Sequence, residues 1–212
     1  STLLASSAAS DVYKRQIIGR LIMASKREAS PSLRMRKIVL VICEGETEVG
    51  YINLLKMWYR SPIRIVSHIE GTKITPALVE KRTKELQISH LDKVNTFLMY
   101  DMDVRTINEK LQKCKAQMLL SNPCFEIWLL LHCKDQKAAI NSDSLIKELK
   151  KSANFWKNYS KAAFTETQKA FLNNNTDVAV KRAKRLCEFQ NPSTGIYKLI
   201  EMLKDLEGKR KE

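Results

Sequence analysis

The sequence predicts an α/β fold: a mostly parallel sheet flanked by helices, followed by a helical C-terminal elaboration. Three observations predict it. Apolar runs at residues 37–43 and 94–100 show no polar alternation, so they read as strands buried on both faces. Segments with apolar residues at helical spacing alternate with the strands, which is the pattern of a doubly wound sheet. Beyond about residue 140 the strand signal stops and helical periods continue to the end.

Each element has its own signal. KIVLVIC at 37–43 ends in the Gly-containing turn Glu44-Gly45-Glu46-Thr47-Glu48, and Tyr51, Leu54, Leu55, Trp58 and Tyr59 then share one helical stripe. Arg60-Ser61-Pro62 breaks that helix, and residues 63–69 form a second strand. Thr75 is placed to cap a helix that starts at Pro76 and runs to about residue 86. The third strand, 94–100, ends at Asp101-Met102-Asp103. A short polar helix over 107–115 leads to a fourth strand over 117–120. Ser121-Asn122-Pro123 stops that strand and opens a very apolar helix over 125–132. Helices follow over 142–153, 161–172, 176–189 and 194–206, with loops at 154–160, 173–175 and 191–193.

No internal repeat or glycine-rich linker divides the chain, so residues 34–212 are expected to form one domain. Residues 1–33 fit neither helical nor strand period and are expected to be a disordered or non-native extension, with Met23 as a candidate native start.

The chain has 212 residues, 44% hydrophobic and 28% charged, enough to bury a core. No apolar run approaches the roughly 20 residues of a membrane-spanning helix. The five cysteines are odd in number, lack C-x-x-C spacing and are not paired with histidine, which argues against a disulfide framework or structural zinc and suits a reducing cytoplasm. Net charge is +14. Residues 1–37 carry eight basic and two acidic side chains, so +6 lies there and +8 in the rest. A basic balance of this size points to a polyanionic partner such as nucleic acid.

The acids are placed with more pattern than the bases. Glu44, Glu46 and Glu48 follow the first strand, Asp101 and Asp103 the third, and Glu126 the fourth. Ligands of open α/β sheets bind at the carboxyl ends of strands, so these side chains are expected to share one crevice. Carboxylates crowded together raise one another's pKa, and a hard divalent cation removes that cost; all-oxygen ligands suit Mg²⁺ or Mn²⁺. Taken singly, Glu46 and Glu48 are also ordinary first-turn acids at a helix N-terminus, and loop aspartates are common. Glu126 is harder to place otherwise, because a buried carboxylate is costly unless paired or metal-bound.

Taken in order, Cys43-Glu44-Gly45-Glu46-Thr47-Glu48 with Tyr51, Tyr100-Asp101-Met102-Asp103, SNPCFEIWLLLH over 121–132 and Asn191-Pro192-Ser193-Thr194 closely resemble the RloB-like family over about residues 36–206. That family's core resembles the TOPRIM fold shared with topoisomerases, primases and OLD-type nucleases. The resemblance implies a divalent-metal nuclease acting on DNA or RNA in bacterial anti-phage defence. It implies Glu44, Glu48, Asp101, Asp103 and Glu126 as the metal-binding and catalytic acids, with Ser121 beside Glu126. It also implies a lysine near the scissile phosphate, for which Lys161 is the best match and Lys157 and Lys198 are alternatives. A separate defence ATPase or sensor protein is the implied partner, since no G-x-x-x-x-G-K-[ST] motif gives this chain an ATPase of its own.

Lys181, Arg182, Lys184 and Arg185 read either as a solvated helix face or as contacts to a nucleic-acid backbone. Trp128 and Trp58 read as core, and Trp156, in a polar loop, as a candidate base-stacking platform. His132 ends an apolar helix, where a protonated imidazole is favoured; none of the three histidines is expected to be a catalytic base. Two rivals to the nuclease remain: a nucleic-acid-binding or regulatory subunit with a non-catalytic acidic site, and a phosphoesterase acting on a small molecule. An exposed stripe on the C-terminal helices leaves a homo-oligomer open.

Overall fold

A computed structural model describes residues 37–59, 63–89, 92–161 and 163–208. The expected extension over 1–33, the candidate start at Met23 and the break at Arg60-Ser61-Pro62 lie outside the described residues.

Strand β1 (Lys37–Cys43) is the centre of the molecule because both its faces are apolar. Val39, Val41 and Cys43 pack on one side of the sheet, and Ile38, Leu40 and Ile42 on the other. It pairs in parallel with β2 (Ile63–Ile69) on one edge and β3 (Lys93–Asp101) on the other. Strand β4 (Gln117–Asn122) extends the parallel ladder from β3, giving the order β2-β1-β3-β4-β5. The expected mostly parallel sheet with helices on both faces is therefore what the chain forms. The switch in strand order falls between β1 and β3, and their carboxyl ends lie side by side there, with Cys43 opposite Met99.

The two faces are covered unequally. Helices α1 (Glu46–Trp58), α4 (Glu126–Cys133), α5 (Ser142–Ser152), α6 (Glu166–Ala183) and α7 (Ile196–Gly208) bury the larger core around Val39, Val41 and Trp128. Helices α2 (Pro76–Lys84) and α3 (Arg105–Leu111) cover the smaller one through Val79, Ile107 and Leu111. Helix α2 starts where its sequence predicts: Thr75 accepts the Leu78 N–H at 3.2 Å and Pro76 occupies the first turn. It ends two residues earlier than expected, and α3 spans 105–111 rather than 107–115.

The C-terminal half departs further. One helix, α6, replaces the two expected over 161–172 and 176–189, and the three asparagines predicted as a loop lie inside it. Its buried stripe, Leu172, Thr176, Ala179 and Ala183, runs straight through the polar stretch. The side chains that would favour a turn bond back to the helix instead: Asn175 Nδ2 donates to Phe171 O at 2.9 Å and Thr176 Oγ1 to Leu172 O at 2.8 Å. A reciprocal capping box between Thr165 and Gln168 starts α6, which leaves Lys161 outside any helix. The last helix begins at Ile196, because Ser193–Thr194 form a fifth strand, β5, antiparallel to β4.

Trp156 is not a stacking platform. It is fully buried in the larger core, where the short 3₁₀ turn Asn154–Trp156 inserts it. His132 is likewise no helix-end cation. It is buried, its Nδ1–H donates to Trp128 O at 2.8 Å, and burial lowers its pKa to about 4, so the ring is neutral.

Gly195 joins β5 to α7 with no room to spare: a Cβ there would meet Leu119 Cα at 3.2 Å and Met118 O at 3.3 Å. Both are backbone atoms of the central sheet and cannot move aside. Gly195→Ala is therefore expected to cost roughly 1–3 kcal/mol by overpacking, read as a lower urea midpoint with an unchanged m-value.

Candidate metal centre

Two strand ends and two helix starts bring the acids together. Glu44 follows β1, Asp101 ends β3, Glu48 lies in the first turn of α1, and Glu126 is the first residue of α4. Glu44, Glu48, Asp101 and Glu126 line one cavity of about 310 Å³ with Gly45, Glu46, Thr47 and Lys161. Asp103 does not line it. It sits exposed just beyond, close enough for its charge to raise the pKa of Glu44.

Each acid is held by something the fold provides. The Asp101 backbone N–H donates to Glu44 Oε2 at 2.9 Å, which fixes one strand-end carboxylate against the next strand. Glu48, only 6% exposed, accepts from the backbone N–H groups at the start of α1, including that of Gly45. This is the ordinary first-turn role the sequence allows, yet the same side chain also faces the cavity. Glu126 is 1% exposed and accepts from the Tyr159 hydroxyl at 3.2 Å; Lys161 Nζ lies 4.0 Å from the same oxygen. The neighbouring Cys124 thiol also bonds Glu126, and burial together with that carboxylate pushes the thiol pKa up.

The electrostatics are unbalanced. Burial raises the pKa of Glu44, opposed by its bond from the Asp101 amide and by Lys161. Burial also raises Glu48, helped by the charges of Glu44 and Glu126. Asp101 is pushed to about 8, first by burial and then by Glu48, Glu44, Glu126 and Asp103. Its Oδ1 is buried without a hydrogen-bond partner among the described residues. Among the described residues Lys161 is the one cation lining the cavity, and its side chain is 69% exposed.

A site lined by five carboxylates, with one orphaned carboxylate oxygen and a single lysine among the described residues, has the donor set of a hard divalent cation. Glu44 and Asp101, with Glu48 and Glu126, are the residues that would hold it. Among the described residues, however, no group of three or more His, Cys, Asp or Glu side chains is positioned to hold an ion as it stands.

Several positions escaped the sequence reading. Tyr159 was unmarked because nothing in its neighbourhood says that its hydroxyl ends on Glu126, thirty-three residues away. Thr47 lines the cavity and was passed over between two more conspicuous acids. Ser121 does not line it: its hydroxyl shares a 3.0 Å bond with Thr194, stitching β4 to β5. Of the alternative lysines, Lys198 is engaged with Glu188, whereas Lys157 is exposed and unpaired among the described residues. In the basic run, Arg182 donates to Leu131 O at 2.8 Å, Arg185 bonds Asp135 at 3.0 Å and Lys184 bonds Glu201 at 2.7 Å. Leu131 and Asp135 mark the end of α4 away from Glu126, so this run fastens helix ends and is not gathered at the cavity.

The Asp101 pKa makes stability depend on pH. A folded-state value near 8, against about 4 when unfolded, means the folded chain keeps a proton that the unfolded chain releases between those values. The contribution of Asp101 to stability is therefore fully present below about pH 4 and is lost as pH rises through about 8. In EDTA, Asp101→Asn is expected to flatten that fall and to gain about 1–3 kcal/mol at pH 8, checked by urea unfolding across the range. Tyr159→Phe is expected to lose about 1–3 kcal/mol, because a buried carboxylate forfeits a donor.

Residues 39–203 match the family model for RloB-like proteins. No curated protein and no solved structure matches the chain. With the match spanning most of its length, the chain belongs to the RloB-like family.

Proposed function

We propose that this chain is a divalent-metal-dependent nuclease that hydrolyses phosphodiester bonds in DNA or RNA. The observation that carries the reading is Asp101, a strand-end carboxylate with one buried oxygen unpartnered among the described residues, set among four further acids and a lysine. Mg²⁺ or Mn²⁺ bound there would supply charge neutralisation and a more acidic water. The chain's own residues have distinct parts. Glu44 and Asp101 present oxygens from adjacent strand ends, already fixed by the 2.9 Å amide bond. Glu126, oriented by Tyr159, and Glu48, oriented by the start of α1, close the other side. Lys161 reaches the same cavity, its ammonium 4.0 Å from Glu126 Oε1 and mostly exposed, where it would meet a phosphate oxygen as charge develops.

The family resemblance supports the wider reading: a role in bacterial anti-phage defence, in the cytoplasm, with a separate ATPase or sensor as partner. Among the described residues no helix is long and apolar enough to cross a membrane.

One observation favours a second reading. Since among the described residues no three acids stand ready to hold an ion, the chain is alternatively a nucleic-acid-binding or regulatory subunit whose acidic site is not catalytic.

Calorimetry with Mn²⁺, paired with cleavage assays on plasmid, single strands and bulk tRNA, separates the two. The nuclease reading expects Mn²⁺ binding and cleavage by the wild type, with both weakened more than about 100-fold in Asp101→Ala. A wild type that binds polymer but no Mn²⁺ establishes the second reading instead.

A further inference from the structure

We propose that the outer face of α5 and the loop that follows it form a phosphate track that leads a nucleic-acid strand to the carboxylate cavity. The inference rests on the nuclease reading for what happens at the end of the track, but its binding is separately measurable.

The segment from Lys147 to Lys161 carries five lysines and one acid, Glu148. The fold sorts it into an inner and an outer side. Leu145 and Leu149 are fully buried in the larger core. Lys147, Lys150 and Lys151, at i, i+3 and i+4, occupy the opposite face of α5 and are exposed. The chain then anchors itself through buried Trp156, exposes Lys157, buries Tyr159 with its hydroxyl on Glu126, and delivers Lys161 to the cavity wall. The segment meets the site at both ends, because Ser142, the first residue of α5, bonds Cys124 two residues before Glu126.

What distinguishes these lysines is that they are uncommitted. Among the described residues, Lys147, Lys150 and Lys157 make no ion pair. Lys151 has only a 3.7 Å approach to Glu148, which Lys134 already holds at 2.6 Å. The more conspicuous run at 181–185 has three of its four cations tied to Leu131, Asp135 and Glu201. Recruiting a tied cation breaks an existing contact, whereas an unpaired one loses only its water and counterions. Phosphates therefore bind the α5 face by counterion release, with no internal bond to break. Lys147 to Lys151 span about 6 Å of α5, room for roughly two phosphates along a B-form strand, with Lys157 further along the chain. A small phosphate ester would use Lys161 alone and leave the other four lysines without a role.

The test is fluorescence anisotropy with labelled 30-nucleotide single-stranded and duplex DNA and RNA, in EDTA, over a KCl series. It compares the full chain with a Lys147→Ala, Lys150→Ala, Lys157→Ala triple variant. All three positions are exposed, and retention of the wild-type circular dichroism spectrum and melting temperature checks the fold. The expected result is a shallower slope of log K against log salt, by about 2–3, and at least tenfold weaker binding near 0.1 M salt. A Lys184→Ala variant, which removes a cation already tied to Glu201, is expected to keep the wild-type slope. An unchanged slope in the triple variant, or no polymer binding by the wild type, overturns the track. Hydrolysis of bis(4-nitrophenyl) phosphate by the wild type with Mn²⁺ reports on the cavity alone. If that fails while the slope still drops, the track stands and the nuclease reading falls; if hydrolysis succeeds with the slope unchanged, the reverse holds.

Discussion

The amide of Asp101 donating to Glu44 is the contact on which the candidate centre depends. It is possible only because β1 and β3 are neighbours in parallel, with their carboxyl ends level. Parallel pairing aligns strand ends that are far apart in sequence, and the switch in strand order leaves a crevice there. One bond thus joins two acids fifty-seven residues apart through the Asp101 amide, while Asp101 Oδ1 stays buried without a hydrogen-bond partner among the described residues. Everything else at the site responds to that concentration of charge. Gly45 and the start of α1 offer amides to Glu48, Tyr159 offers a hydroxyl to Glu126, and Lys161 offers the single positive charge in the cavity.

The unequal coverage of the sheet serves the same end. The α2 and α3 side is a compact cover with one small apolar cluster. The other side carries five helices, and the connection between α5 and α6 crosses back to the cavity, bringing Tyr159 and Lys161 together at Glu126. Trp156 is the anchor of that connection: its burial holds the loop down, so that a tyrosine three residues on reaches a carboxylate at the start of α4. A residue that looks like a surface platform in the sequence is instead the means of positioning the site.

Much of the fold was legible because the relevant signals are local. Both faces of β1 are apolar, so a buried parallel strand was the only economical reading; Thr75-Pro76 marked a helix start by its own chemistry. The reading failed where local preference and tertiary packing disagree. Three consecutive asparagines favour a turn, yet Leu172, Thr176, Ala179 and Ala183 continue one buried stripe across them, and the packing of α6 against α4 prevails. Ser193-Thr194 has cap chemistry, and Thr194 does accept the Ile196 N–H at 3.4 Å. Even so, the pair is captured by the free edge of β4, which no local signal announces.

By itself, the sequence determined the α/β class, the strand-end placement of Glu44 and Asp101, and the family, because periodicity and ordered motifs are carried by residues close together in the chain. Tertiary structure alone decided which acids share the cavity and which stay outside it. It excluded Asp103 from the lining, turned Ser121 towards Thr194, and buried Trp156 and His132. It also decided which cations are free. A lysine's charge is written in the sequence, but whether a carboxylate already neutralises it depends on contacts made across the fold. For Lys184 and Arg185 those contacts come from residues seventeen and fifty positions away, while Lys147, Lys150 and Lys157 make none among the described residues.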